Sequence, residues 1–362
     1  MPGARLAAVP LLADLTTLRV GGPCARFVEA ASEAELVAAV AEADAAHEPV
    51  LVLGGGSNLL VADAGFDGVV VRDVRTATRV EDASACAGAS VVVSAGAPWD
   101  DVVVRAVAEG WSGIEALSGI PGSTGATPVQ NVGAYGQEVG DVLATVRVYD
   151  RALRRVRMLA VGDLRLGYRS SLLKRSLVAD DDGVTWGPTP RWVVLEVGFQ
   201  FRLADLSGPV RYAELARALD VELGARAPAA EVREAVLALR RGKGMVLDGA
   251  DHDTWSAGSF FTNPVLDADA AALLPERAPR FDAGSGRVKT SAAWLISHAG
   301  FDRGHGLPGP AALSTKHVLA LTNRGGAKTA DLVRLAREVR SGVESSFGVV
   351  LEPEPVLVGV SL

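Results

Sequence analysis

Cysteine is almost missing from this sequence: Cys24 and Cys86 are the only two in 362 residues, far apart and outside any C-x-x-C pattern. That excludes a disulfide framework and a cysteine-held zinc site, and it fits a reducing compartment. Aromatic residues are scarce at 5%, and the high Ala, Val and Gly content raises apolar counts without adding bulk. No run of about 18 apolar residues occurs, so no membrane-spanning helix is expected. Basic residues number 36 against 43 acidic ones, for a net charge of −7. The chain therefore lacks the broad basic face that nucleic acid requires. An anionic small ligand stays open, because local cations decide that. The start of the chain, MPGARLAAVPLLADL, has an apolar stretch interrupted by Pro10 and ended by Asp14. It reads against a signal peptide, and a cytoplasmic location is expected.

A hydrophobic fraction of 49% with 22% charged residues is globular composition. At roughly 150 residues per domain, two or three domains are expected. ARFVEA (25–30) reads as a strand, Ser32 and Glu35 as a capping box opening a helix, and VLVL (50–53) as a buried strand running into GGGSN. Strands follow at 68–73 and 91–96, then a helix from Trp99. A hairpin is expected over 142–150 and 154–161, and a long strand over 191–203. Beyond about residue 205 the texture changes to helices at 228–241 and 329–346 around HVLALTN (317–323), an α+β pattern. The closing VVLEPEPVLVGVSL reads as a strand pair broken by two prolines, an edge or return strand.

Glycine is concentrated in two places. Residues 118–141, SGIPGSTGATPVQNVGAYGQEVGD, hold six of the 40 glycines, and LGGGSN precedes them by some 60 residues. The first loop resembles a dinucleotide fingerprint, with Asp73 at the distance of a ribose-binding acid. The pattern fails, because Leu59 stands at the third glycine position and no room remains for the required helix. Gly55, Gly56, Ser57 and Asn58 can still aim N–H groups into one concavity, a nest for a pyrophosphate; a plain tight turn is the alternative. Two neutral glycine loops suit a ligand with both a pyrophosphate and a broad planar head, and flavin adenine dinucleotide has that shape. Gln130 and Asn131 would then hydrogen-bond the polar edge of the flavin.

The motifs LGGGSN, GIPGSTGATPVQNVGAYGQE, GYRSSLLK, AGSFFTNP and LEPEP occur in the order and approximate spacing of the UDP-N-acetylenolpyruvoylglucosamine reductase (MurB) family, which this chain resembles over nearly its whole length. The resemblance implies an α+β chain whose two-part flavin domain is of the vanillyl-alcohol-oxidase-like kind, followed by a separate α+β substrate domain. The expected parts are 1–75 with a return strand at 349–362, 76–205, and 206–348. It implies noncovalent FAD held by Gly54, Gly55, Gly56, Ser57, Asn58, Gly119, Ile120, Pro121, Gly122, Gly125, Ala126, Gln130, Asn131, Gly133 and Ala134. NADPH is the implied electron donor, although no 2′-phosphate site is visible in the sequence.

The family's reaction reduces a vinyl ether that bears a carboxylate, so negative charge develops at C2 as hydride adds to C3. A forked guanidinium matches a carboxylate, a protonated acid can donate a further hydrogen bond, and a hydroxyl can protonate so basic a carbon. By resemblance Arg169 binds the carboxylate with Tyr168 beside it, Ser259 donates the proton, and Glu354 polarises the enolpyruvyl group, with Glu352 as its rival. Tyr212, Lys243, Asn263 and His317 stand where the family contacts the uridine diphosphate. Gly244 and Met245 stand where the family often shows KLPDP, a departure from its pattern beside Lys243. Asp248, Asp251, His252 and Asp253 could be read as a metal cluster, but the chemistry needs no metal and a solvated loop is the favoured reading. A monomer without nucleic-acid or membrane partners is expected. An oxidase on the same scaffold, or a nucleotide-sugar-binding regulator without turnover, are the rival functions.

Overall fold

Ser32 starts the first helix as its spacing predicts: its hydroxyl accepts the Glu35 N–H at 3.2 Å, and the Glu35 carboxylate accepts the Ser32 N–H at 3.1 Å. The structure, a computed structural model, describes residues 9–362; the basic start of the N-terminal stretch lies outside the described residues. These residues form two compact units. One takes in Cys24–Gly56 and Asp67–Arg241, the other Leu11–Pro23, Ser57–Phe66 and Gly242–Leu362. Both mix helix and strand, the α+β class expected. Among the described residues no helix is long and apolar enough to cross a membrane.

The chain begins with β1 (Cys24–Ala30), α1 (Glu33–Ala45), β2 (Val50–Leu53), β3 (Leu59–Val61) and β4 (Phe66–Asp73). Strands β1, β4 and β2 form a three-stranded sheet in that order, with β2 and β4 parallel and Val50 opposite Val69. The link between those parallel strands carries the GGGSN loop and β3 rather than a helix, as Leu59 at the third glycine position predicted. Asp73 grips Arg75 with both oxygens, at 2.9 and 2.7 Å, which accounts for it without a ribose.

The larger sheet of the first unit is built from β5 (Thr78–Ser84), β6 (Gly88–Ser94), β7 (Trp111–Ser112), β10 (Leu143–Asp150), β11 (Arg155–Ala160) and β12 (Trp192–Leu203), all antiparallel, in the order β11-β10-β12-β6-β5 with β7 at the end of β12. Helix α2 (Trp99–Ala108) covers it, and Trp99, Phe199, Phe201 and Trp111 fill the core between them. Between α2 and β10 lie the second glycine loop and a short hairpin of β8 (Gly133–Ala134) and β9 (Gln137–Glu138). After α3 (Leu172–Arg175) and β12 come α4 (Ala213–Leu219) and α5 (Ala229–Gly242). Leu215, Val232 and Val236 of those helices bury against Ala116 and Val210. Residues 206–241 thus pack with the first unit, although the texture of the sequence changes at 205.

The second unit adds β13 (Val265–Leu266), α6 (Ala268–Ala272), β14 (Phe281–Asp282), β15 (Val288–Lys289), α7 (Ala292–His298), β16 (Ala311–Leu313), β17 (Leu321–Asn323), α8 (Thr329–Phe347) and β18 (Val356–Val358). Leu332, Ala336, Val339 and Val343 recur at helical spacing on α8 and bury against Phe260, Phe261, Leu295 and Leu321, with Leu18, Val20 and Leu60 in the same core. The tail expected as a strand pair supplies one strand. Pro353 makes only an isolated bridge to Phe261, and β18 pairs in parallel with β3.

Candidate functional site

In the first unit the two glycine loops lie on one another. A β-carbon on Gly54 would stand 2.3 Å from Ser123 Oγ, one on Gly55 would stand 2.6 Å from Gly122 Cα, and one on Gly125 would meet Ala95 Cβ at 2.5 Å. For these three positions the body that glycine admits is the protein itself. Gly56 and Gly119 have φ of 62° and 69°, the left-handed region where glycine is at ease. The outcome is a neutral main-chain surface: Gly55 and Ala126 are exposed, Ile120, Pro121, Gly122, Gln130 and Ala134 half-buried. No carboxylate occurs in 54–58 or 119–134 to repel a diphosphate, so these residues fit the flavin dinucleotide.

The Gln-Asn pair divides its work. Asn131, buried with φ 46°, donates to Glu138 at 2.6 Å and accepts from the Gly140 N–H at 3.0 Å, so its amide folds the segment rather than facing outward. Gln130 stays half-buried and accepts from Lys174 Nζ at 3.2 Å. The second glycine loop is anchored at its start by Asp100, which accepts the Gly119 N–H at 2.6 Å and both ends of Arg233 at 2.8 Å. Burial alone would raise the Asp100 carboxyl; Arg233 and the Gly119 N–H offset this and hold it below the usual carboxylate range.

Arg169 sits at a turn closed by reciprocal hydrogen bonds between Gly167 and Ser170, with φ of 51°. Its guanidinium donates to the Gly133 carbonyl at 2.8 Å and lies 5.5 Å from the centre of the Tyr168 ring. Ser171, next but one, caps α3 by accepting the Lys174 N–H at 3.0 Å. Tyr212 precedes α4, exposed, with its ring edge-on to Tyr135 at 5.4 Å.

In the second unit the AGSFF and LEPE motifs run side by side. Thr262 donates its N–H to Glu352 O at 3.0 Å and Glu354 donates to Phe260 O at 2.8 Å, which brings Ser259 and Glu354 to neighbouring backbone positions. Phe260 and Phe261, both fully buried, anchor the segment that follows Ser259. Asn58 completes the arrangement: its side-chain amide donates to Glu354 O at 3.2 Å and its main-chain carbonyl accepts the Val356 N–H at 3.0 Å. Glu352 differs from Glu354 in environment, since its side chain is 70% exposed and lies 3.9 Å from Arg340.

The remaining candidates are spread through the same unit. Lys243 follows α5, half-buried, ahead of Gly244 at φ 66°. Asn263 Oδ1 accepts the Ala292 N–H at 3.0 Å at the start of α7. His317 is held through its backbone, donating to Ser314 Oγ at 3.3 Å. In the DGADHD stretch, Asp251 pairs with Lys316 at 2.6 Å, while Asp253 accepts from the Thr315 N–H at 2.8 Å and from Arg324 at 2.7 Å. Burial alone would raise the Asp253 carboxyl; Thr315 and Arg324 offset it and leave it below its ordinary range. Asp100, Glu115 and Gln137 escaped the sequence reading. Only the Gln-Glu dipeptide directly after GAYG marked one of them.

Residues 24–156 match the model of an FAD binding domain, and residues 250–358 match the C-terminal domain of UDP-N-acetylenolpyruvoylglucosamine reductase. The reductase of Saccharopolyspora erythraea is 56% identical, over 97% of this chain and 95% of its own length. That of Thermobifida fusca is 52% identical over 97% of each chain. The crystal structure of the MurB reductase from Thermus caldophilus superposes with a TM-score of 0.64 at 24% identity, over 97% of this chain and 98% of that one, a likeness of fold. With relatives this similar along nearly their full length, the chain belongs to the UDP-N-acetylenolpyruvoylglucosamine reductase family.

Proposed function

We propose that this protein reduces the enolpyruvyl ether of UDP-N-acetylglucosamine to UDP-N-acetylmuramate, an FAD- and NADPH-dependent step of peptidoglycan precursor synthesis carried out in the cytoplasm by a monomer. The observation that carries the reading is the pair of backbone hydrogen bonds that lays the AGSFF and LEPE segments side by side, which supports Ser259 and Glu354 as partners in one act of protonation. In this reading residues 1–75 and 76–205, with the return strand at 349–362, serve FAD and residues 206–348 serve substrate. The neutral loops at 54–58 and 119–134 hold the dinucleotide, which supplies hydride to C3 of the enolpyruvyl group when bound.

Arg169 holds the substrate carboxylate, into which the charge at C2 delocalises, and its tie to Gly133 O keeps the fork oriented. Tyr168 flanks that carboxylate. Glu354, as the protonated acid, donates a hydrogen bond to the same oxygens, and Ser259 delivers its proton to C2. Glu352 turns its side chain to solvent beside Arg340, whereas Glu354 is tied through its backbone to Phe260 next to Ser259, which favours Glu354. Tyr212 packs on the uracil, Lys243 pairs with the diphosphate, and Asn263 and His317 complete the nucleotide site.

The test is spectroscopic. The purified protein should be yellow, NADPH should bleach it without oxygen, and UDP-N-acetylenolpyruvoylglucosamine should restore the colour. Bleached protein that this substrate leaves unchanged, but that air recolours at once, would overturn the assignment in favour of an oxidase.

A further inference from the structure

Glu115 is 1% exposed, yet its carboxylate joins three separate segments of the first unit. It accepts the Gly113 N–H at 2.7 Å, Gln137 Nε2 at 2.7 Å and the Gly208 N–H at 2.8 Å. Gln137 is also buried and returns its Oε1 to the Ala116 N–H at 2.7 Å. A buried carboxylate is costly unless its acceptor sites are filled, so this node resists any shift of the three segments against one another.

Those segments lead to both ends of the proposed substrate. Gln137 lies on β9, opposite Ala134 of β8, and the Gly133 carbonyl of the same hairpin holds the Arg169 guanidinium. Tyr135 at the hairpin's tip meets the ring of Tyr212. Next to it Gly136, at φ 84°, lies so near the chain that a β-carbon there would be 2.9 Å from Arg211 Cβ. Gly208, bonded to Glu115, stands four residues before Tyr212. We propose that Glu115 and Gln137 are positioning residues that hold Arg169 and Tyr212 in a fixed relation, coupling the carboxylate end of the substrate to its nucleotide end. The inference rests on the roles given to Arg169 and Tyr212 above. Reaction rates fall steeply when reacting groups are misplaced by an ångström, so such a brace lets nucleotide binding orient the far end.

The probe is UDP, titrated by calorimetry into the FAD-loaded protein, with reoxidation of the reduced protein by the full substrate as a second readout. Gln137→Met keeps the volume and removes both amide hydrogen bonds. It should weaken UDP and slow reoxidation by about ten-fold each while FAD content stays normal, whereas Tyr212→Ala should weaken UDP. Because Gln137 acts on UDP through Tyr212, adding Gln137→Met to Tyr212→Ala should weaken UDP by no more than about two-fold further, the mark of coupled sites. Full additivity of the two changes overturns the inference. If Gln137→Met does not fold, a same-charge exchange decides: Glu115→Gln and Gln137→Glu singly should each weaken UDP about ten-fold and together recover to within about three-fold. A pair no better than its worse member also overturns it. A wild-type protein that ignores UDP, or a Tyr212→Ala variant that binds it normally, removes the functional reading and this inference together; wild-type-like UDP binding by Gln137→Met removes this inference alone.

Discussion

A serine hydroxyl is a weak acid, and Ser259 can serve as one only because the carbon it protonates is far more basic. In Ser259→Ala, NADPH should reduce the flavin at a near-normal rate, since that half-reaction delivers no proton to carbon. Reoxidation by substrate should slow by ~10²-fold or more, the usual loss for a positioned acid. Stopped-flow absorbance separates the halves, and equal slowing of both would make Ser259 structural. Asp253 carries an expectation about stability. Its carboxyl lies below its ordinary range in the folded state, so the stability it contributes is full above the unfolded value of about 3.9 and is lost as pH falls through the lower folded value. Asp253→Asn should therefore cost about 3 kcal/mol at neutral pH, the order expected when a buried ion pair loses one partner. Thermal melts should show that gap closing as the pH drops below the folded value; a gap constant with pH would mean that Thr315 and Arg324 do not act through the charge.

Between residues and the whole lie the elements, and here the glycine loops allow a direct comparison. Gly55→Val drives a side chain into Gly122, while Gly162, with nothing within 4 Å of an added β-carbon, accepts Ala without contact. The first change should lower FAD affinity at least ten-fold, a loss of only about 1.4 kcal/mol, and the second should leave it unchanged. The ratio of flavin to protein absorbance reads both. Elements announced by their own residues were legible in the sequence: VLVL at β2, the Ser32 capping box, the β10–β11 hairpin and the long β12. Strand β5 was not, because as a mostly exposed edge carrying Arg79, Glu81 and Asp82 it has no apolar alternation. Helices α4 and α7 are too short for a helical period to emerge from the pattern. At the candidate site the motif positions were readable, whereas the inward turn of Asn131 and the Glu115 node depend on partners that only folding brings near.

For the molecule as a whole, compactness and sequence order part company. The second unit is assembled from three stretches of chain: Leu18 and Val20 come from the first, Leu60 from the second, and the rest of its core from residues beyond 242. Asn323 holds the Leu18 and Arg19 carbonyls at 3.0 and 3.1 Å, and Asp63 accepts the Thr329 N–H at 2.7 Å. A fragment of residues 242–362 should consequently fail to fold alone, although it contains the whole span matched by the C-terminal domain model. Circular dichroism during heating should show no cooperative transition; a sharp melt would refute the expectation. A change in composition at 205 reflects which residues are locally helical, while the packing of α4 and α5 on Ala116 was decided by distant contacts.

The parallel pairing of β18 with β3 has a consequence for synthesis. A ribosome adds roughly 5–20 residues each second, so β3 emerges long before the strand that completes it. Throughout that interval Leu60 and its neighbours wait on a nascent chain, with backbone donors and acceptors unmatched. A stop codon in place of Pro355 would spare every candidate catalytic side chain and yet leave β3 without its partner strand.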